Sequence, residues 1–304
     1  MTPAGSSSFA NSKRARLGPS FLAFARDIKI AHSIFALPFA ASALVLARLP
    51  LPTAQQCSLL LVCMVTARSF AMGMNRFLDR KVDARNPRTK MRKIPAGELP
   101  AARGLLWSLV AAVLFLTASF ALSPLAGYCA PVLLAILGGY SLMKHLTWAT
   151  HWYLGVCLGL APVGVEIALR GHASPAVIAV AAAVALWTAG FDLLYSLQDM
   201  AFDRDAGLNS FPAKFGPGTT LVTSRGCFLA MIALLAAAGV MADLHAIYAL
   251  GVAAVAAILA YEHWIVRDAR DTGASTRLNV AFFNANAYVS VVVLAFVLLD
   301  LFLA

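Results

Sequence analysis

The feature that most constrains this chain is a series of apolar runs, each near the length of a bilayer crossing. Nine can be read, at roughly 30–48, 54–76, 103–122, 125–143, 151–169, 175–197, 222–242, 245–265 and 281–303. A helix needs about 20 mostly apolar residues to span hydrocarbon, and a barrel strand about half as many. Backbone groups in lipid must be satisfied within the helix or by a closed barrel. These runs are too long for barrel strands. The chain is 61% hydrophobic and only 12% charged, against about 25% charged in a soluble domain. The expected fold is therefore all-α: a polytopic membrane protein of about nine transmembrane helices bundled around a central cavity.

Residues 1–18 are expected to form a disordered tail, and 19–304 a single transmembrane domain. The start of the tail, Met1–Ser12, is rich in Ser and Ala, and no cleavable signal peptide is visible in it. Phe21–Lys29 reads as a short interfacial helix, with Phe21, Leu22, Phe24 and Ile28 opposing Arg26 and Lys29. The five cysteines form no CxxC pair and read as small buried side chains rather than a disulfide or zinc framework.

Charge placement predicts orientation. With the N-terminus inside, all of the 24 Lys and Arg residues except Arg48, Arg170 and Arg68 are assigned to the inner side. That asymmetry obeys the positive-inside rule. A net charge of +10 then needs no nucleic acid; topology, an anionic membrane surface and polyphosphate account for it. No obligate protein partner is evident.

Two acidic motifs carry the chemistry. One reads Asn75-Arg-Phe-Leu-Asp79-Arg-Lys-Val-Asp83, and the other Asp192-Leu-Leu-Tyr195-Ser-Leu-Gln-Asp199-Met-Ala-Phe-Asp203. Steps of three and four place each set on one helical face. Both stand at span ends on the same side, where facing ladders of hard oxygens would suit Mg²⁺ together with substrate phosphates. Arg80, Lys81, Arg88, Arg92, Lys93, Lys144 and Lys214 lie on that side and could meet those phosphates. A lone DxxxD is usually a solvated face; two at matched depth in a membrane chain point to function.

Single residues divide between function and structure. Arg68, seven residues before Asn75 and inside its span, suits phosphate binding, with a structural ion pair as the alternative. For His32 an interhelical hydrogen bond and a ligand contact fit equally. Glu166 reads as an interfacial acid. Trp107, Trp148, Trp152 and Trp264 read as aromatic-belt residues.

On these residues the sequence strongly resembles the UbiA superfamily of intramembrane prenyltransferases. The NxxxDxxxD and DxxYxxxDxxxD motifs match. Arg88-Thr-Lys-Met-Arg92-Lys-Ile-Pro is similar to the family's RTxxRP segment, and Arg68, Lys144 and His32-Ser-Ile-Phe-Ala-Leu-Pro38 also look family-like. Two departures are Asn75-Arg76, where many members have Asn-Asp, and Arg92-Lys-Ile-Pro in place of Arg-Pro-Leu. The stretches around Asp83 and Asp199 look most like the 4-hydroxybenzoate polyprenyltransferase-like branch.

The resemblance implies Mg²⁺-dependent transfer of a polyprenyl group from its diphosphate to an aromatic acceptor in ubiquinone or menaquinone synthesis. The setting would be a bacterial inner membrane, with lipid around the chain and the site at its cytoplasmic face. It implies metal binding by Asn75, Asp79, Asp83, Asp199 and Asp203, and acceptor catalysis by Asp192 and Tyr195. Substrate binding would fall to Lys29, His32, Arg68, Arg80, Arg88, Arg92 and Lys144. The alternative is a transporter coupling cations or protons at the carboxylates, although transporter sites tend to lie at the bilayer midplane.

Overall fold

The computed structural model describes residues 17–29, 37–48, 52–272 and 275–303. The expected tail up to residue 16, the first part of the first span and His32 lie outside the described residues. All regular structure among the described residues is helical. The helices are α1 (Leu17–Asp27), α2 (Leu37–Leu46), α3 (Ala54–Leu78), α4 (Arg80–Arg85), α5 (Ala101–Leu122) and α6 (Pro124–Leu146). They continue with α7 (Thr150–Arg170), α8 (Pro175–Ser196), α9 (Met200–Asp205), α10 (Phe211–Met241), α11 (Ala246–Thr272) and α12 (Ser275–Leu303). Seven described helices are long and apolar enough to cross a membrane, and the other two expected spans carry shorter apolar helices, Leu37–Leu46 and Tyr288–Leu303.

The helix ends follow from local chemistry. Thr53 and Gln56 form a reciprocal capping box that opens α3, with bonds of 3.2 and 2.9 Å. Ser123-Pro124 and Ser174-Pro175 open α6 and α8, a capping hydroxyl followed by a proline that needs no donor. At the end of the bundle away from the acidic motifs, Glu166 is fully buried. It accepts from Ser174 N at 2.7 Å and lies 3.3 Å from Arg170. It is a structural tie between α7 and α8 rather than an interfacial acid. Arg170 and Arg48 donate to the carbonyls of Ala47 and Ala242, each at 3.1 Å, so these two arginines close helix ends.

Helix α8 runs through the middle of its half of the bundle, packed between α7 and α10, while α3 packs against α5 and α6. The α7–α8 contact is close because Gly155 and Gly159 face the Ala185 and Ala181 carbonyls; a Cβ there would lie 2.2 and 2.5 Å from those oxygens. Helix α10 starts earlier than the expected residue 222. It breaks at Gly216, whose φ of 78° suits glycine, and Pro217 restarts it. The first turn tucks Phe211 against Trp148 and Trp152, at 5.8 and 5.5 Å between rings. Trp107 instead docks α1, donating to Ser20 at 3.2 Å and packing on Phe21. These three tryptophans therefore pin helices together, and only Trp264 stands well exposed, at 63%. Cys157 and Cys227 are buried, whereas Cys57 and Cys129 face outward.

Candidate active site

The first motif bridges two helices. Asn75 belongs to α3, Asp79 caps that helix and Asp83 lies in α4. The i to i+4 backbone bonds run on through Asp79 and Asp83, at 2.9 and 2.8 Å, so the expected single face survives the junction. The second motif is less regular. Asp192 and Tyr195 end α8, a 3-10 turn spans Leu197–Asp199, and Asp203 lies in α9. Each motif thus runs from a long helix into a six-residue one, as an internal duplication would leave it.

Asp79 and Asp83 are buried, Asp192, Asp199 and Asp203 half-buried, and bases answer them. Asp79, 3% exposed, accepts from Asn75 Nδ2 and Lys144 Nζ, both at 2.7 Å, through the same Oδ2. Its Oδ1 is buried without a hydrogen-bond partner. Burial pushes the Asp79 carboxyl above its usual range, and Lys144 pulls part of that back. Asp83 pairs with Arg92 at 2.7 Å. Arg88 reaches across to the second motif, giving a two-pronged contact to Asp199 and donating to the Tyr195 hydroxyl at 3.1 Å. Asp203 is half-buried, within electrostatic reach of Asp199 and Lys144.

Among the described residues no three acidic, histidine or cysteine side chains converge on one point, so the facing ladders are held apart by their basic partners. The donor set still fits a hard cation. Asn75, Asp79, Asp83, Asp199 and Asp203 offer only oxygens to a metal, and the unpaired Asp79 Oδ1 is a buried anionic atom with nothing to bind.

Arg68 lies within electrostatic reach of Arg76 and Tyr140, and other expected residues also have structural partners. Arg68 donates to the Ile28 carbonyl at 3.1 Å and so fastens α3 to the end of α1. Arg80 turns to the Phe77 carbonyl at 2.6 Å and lies over that ring. Lys29 is exposed in the left-handed turn that ends α1, at φ 49°.

Four residues join the site that sequence reasoning missed. Arg76, 7% exposed, donates to Asn75 Oδ1 at 2.6 Å and lies 3.9 Å from buried Asp27. Asn86 donates to Asp199 Oδ1 at 3.0 Å. Tyr140 of α6 lies within electrostatic reach of both Asp79 and Asp192. His151, at the start of α7, holds Asp192 through Nδ1 at 2.6 Å while its Nε2 accepts from the Phe211 amide at 3.4 Å. An accepting Nε2 places the proton on Nδ1, aimed at the carboxylate. The Asn-Pro pair at 86–87 was a readable turn signal; the His151 contact spans 41 residues and has no local signature.

A helical membrane bundle with two acidic motifs and a basic loop joined at one end is the class that these features define. The profile of the UbiA prenyltransferase family matches residues 36–287. A 4-hydroxybenzoate octaprenyltransferase of Alkalilimnicola ehrlichii is 28% identical over 199 residues, 65% of this chain and 67% of that protein. The apo structure of a UbiA homolog from Aeropyrum pernix K1 superposes with a TM-score of 0.79 at 30% identity, covering 90% of this chain and 98% of that one. A UbiA homolog from Archaeoglobus fulgidus bound to GPP and Mg²⁺ shares the fold at 19% identity, with a TM-score of 0.62 over 90% and 99% of the two chains. The chain belongs to the UbiA prenyltransferase family and is a prenyltransferase, which sets the transporter reading aside.

Proposed function

We propose that this enzyme transfers a polyprenyl group from prenyl diphosphate to a ring carbon of a 4-hydroxybenzoate-like acceptor, with Mg²⁺, in quinone synthesis. The observation that carries the reading is the basic loop, whose Arg88 binds Asp199 and Tyr195 of the second motif while its Arg92 pairs with Asp83 of the first, so that one loop meets both acidic motifs. Relatives support the substrates: one is named a 4-hydroxybenzoate octaprenyltransferase, and an Archaeoglobus homolog is titled as bound to GPP and Mg²⁺. The site would face the cytoplasm in a bacterial inner membrane, in keeping with the placement of basic residues.

Asn75, Asp79, Asp83, Asp199 and Asp203 would hold the metal, which supplies Lewis-acid stabilisation of the departing diphosphate. Lys144, Arg88 and Arg92, held beside the carboxylates, are the cations that meet the phosphate oxygens and the charge on the leaving group. The allylic C–O bond breaks, the acceptor ring forms the new C–C bond, and the ring proton leaves to a nearby base or to diphosphate. Asp192, held by His151, orients the acceptor beside the positive charge that develops. The loop stapled by Arg88 and Asn86 covers this region and keeps water from the cation.

The test is transfer of labelled polyprenyl diphosphate to 4-hydroxybenzoate by purified protein in lipid, with Mg²⁺ or with a chelator. Metal-dependent formation of a C-prenylated acid is expected. Turnover that persists in chelator, or diphosphate hydrolysis without a prenylated acceptor, rules this reading out.

A further inference from the structure

Helices α10 and α11 enclose a long groove that the prenyl-transfer site does not use. It comprises two connected stretches of about 400 and 410 Å³ that share Ile232 and Ala256. Along most of its length the lining is apolar, with Ala256 and Ala260 one turn apart on α11 leaving room beside Leu229. The character changes at the end that carries the acidic motifs, where Arg225 and His263 line the wall.

Arg225 is exposed, two turns inside the restarted helix, and forms no ion pair among the described residues. His263 is only 8% exposed; its ring meets the backbone of Leu221, and neither nitrogen makes a hydrogen bond of full geometry, a weak pairing for a buried polar group. Phe228 fills the space between His263 and Gly190 of α8, which parts the groove from the acidic site. Trp264 beside it is exposed and stacks with Tyr261 at 6.1 Å.

Depth narrows the occupant. Counting about 20 residues along each helix from its far end reaches the region of Leu221 on α10 and Val266 on α11. Arg225 and His263 then lie within one turn of the same hydrocarbon boundary, at the level of lipid phosphates and glycerol. A cation, a weakly paired imidazole and an indole at that level, above an apolar groove, match an amphiphile with an anionic head.

We propose that this groove binds an anionic phospholipid, with its phosphate on Arg225 and His263 and an acyl chain along the α10–α11 seam. The test uses Trp264 as reporter, in protein reconstituted into phosphatidylcholine vesicles with a graded share of phosphatidylglycerol. Either lipid carries brominated chains, which quench indole on contact, and a Trp264→Phe variant gives the background from the other tryptophans. Brominated phosphatidylglycerol should quench about fivefold more effectively than brominated phosphatidylcholine, as expected for one cation near the surface. That preference should vanish in Arg225→Gln, weaken in His263→Leu and persist in Arg225→Lys. Equal quenching by the two lipids, or an undiminished preference in Arg225→Gln, overturns the proposal. Loss of the preference on adding inorganic phosphate would overturn it in favour of a free-anion site. Displacement by prenyl diphosphate would overturn it in favour of a second seat for the substrate's own tail.

Discussion

Asp79 must be buried and charged at once. Its neighbours meet that demand unevenly, since Asn75 and Lys144 share one oxygen and the other is left unpaired. Removing that carboxylate should leave Lys144 without its partner and the metal without a central ligand. Asp79→Ala is therefore expected to lower kcat at least about a hundredfold while the protein still inserts and gives a sharp thermal transition. Asp199→Ala should do the same, with Arg88 released in addition. Near-normal turnover in either variant would move the chemistry elsewhere. Asp192 behaves differently, because its partner is His151 rather than a loop arginine. Asp192→Asn should leave Mg²⁺-dependent prenyl diphosphate binding nearly unchanged and reduce acceptor turnover, so the two must be measured separately; a collapse of diphosphate binding alone would assign Asp192 to the metal. His151→Ala should lower kcat for the acceptor about a hundredfold, the scale of misplacing a reacting group by an ångström. His151→Asn, which can still donate to Asp192, should recover part of the loss. An equal rise in KM for prenyl diphosphate in both would contradict a positioning role.

At the scale of elements, the first motif was legible because an i, i+4 repeat of oxygen side chains runs unbroken through the α3–α4 junction. The second was legible in composition but not in shape. Nothing in Ser196-Leu-Gln signals the 3-10 turn that interrupts it, since neither glycine nor proline is present. Gly216-Pro217 was a visible breaker, and it accounts for α10 starting before the expected span. The basic loop was expected to bind phosphate; that Arg88 crosses to Asp199 is a tertiary fact with no periodic trace. The close α7–α8 seam offers a direct probe of packing. Gly155→Leu drives a side chain into the Ala185 carbonyl and should destabilise the protein by about 3 kcal/mol, read as a fall in Tm in detergent. Gly164, on the same helix with nothing within 4 Å of an added Cβ, is the control: Gly164→Ala should hold or raise Tm, because alanine favours the helix by about 0.5–1 kcal/mol. A similar loss in both would mean that the α7–α8 seam is not what governs the response.

For the molecule as a whole, charge placement and site geometry depend on one another. The acidic motifs end α3 and α8, and both helices must run toward the same face for Arg88 and Lys144 to serve both. With the nine crossings expected from sequence, the chain's two ends would lie on opposite sides. The basic residues around that face, from Arg76 to Arg103 and again at Lys144, Arg204 and Lys214, support the cytoplasmic side proposed for it, by the positive-inside rule. Arg225, counted with that side from sequence, sits two turns beyond the Gly216 break in α10, yet stays within snorkelling reach of the same boundary. A reporter fused after Ala304 should therefore read as external, and one placed in the Arg88–Arg92 loop as cytoplasmic. If both read as cytoplasmic, the shorter apolar helix between the two reporters, the outer part of α12, does not cross. The site could then keep its geometry, and the span count would be even. If both read as external, the site faces away from a cytoplasmic supply of diphosphate, and the proposed substrate could not reach it from that side.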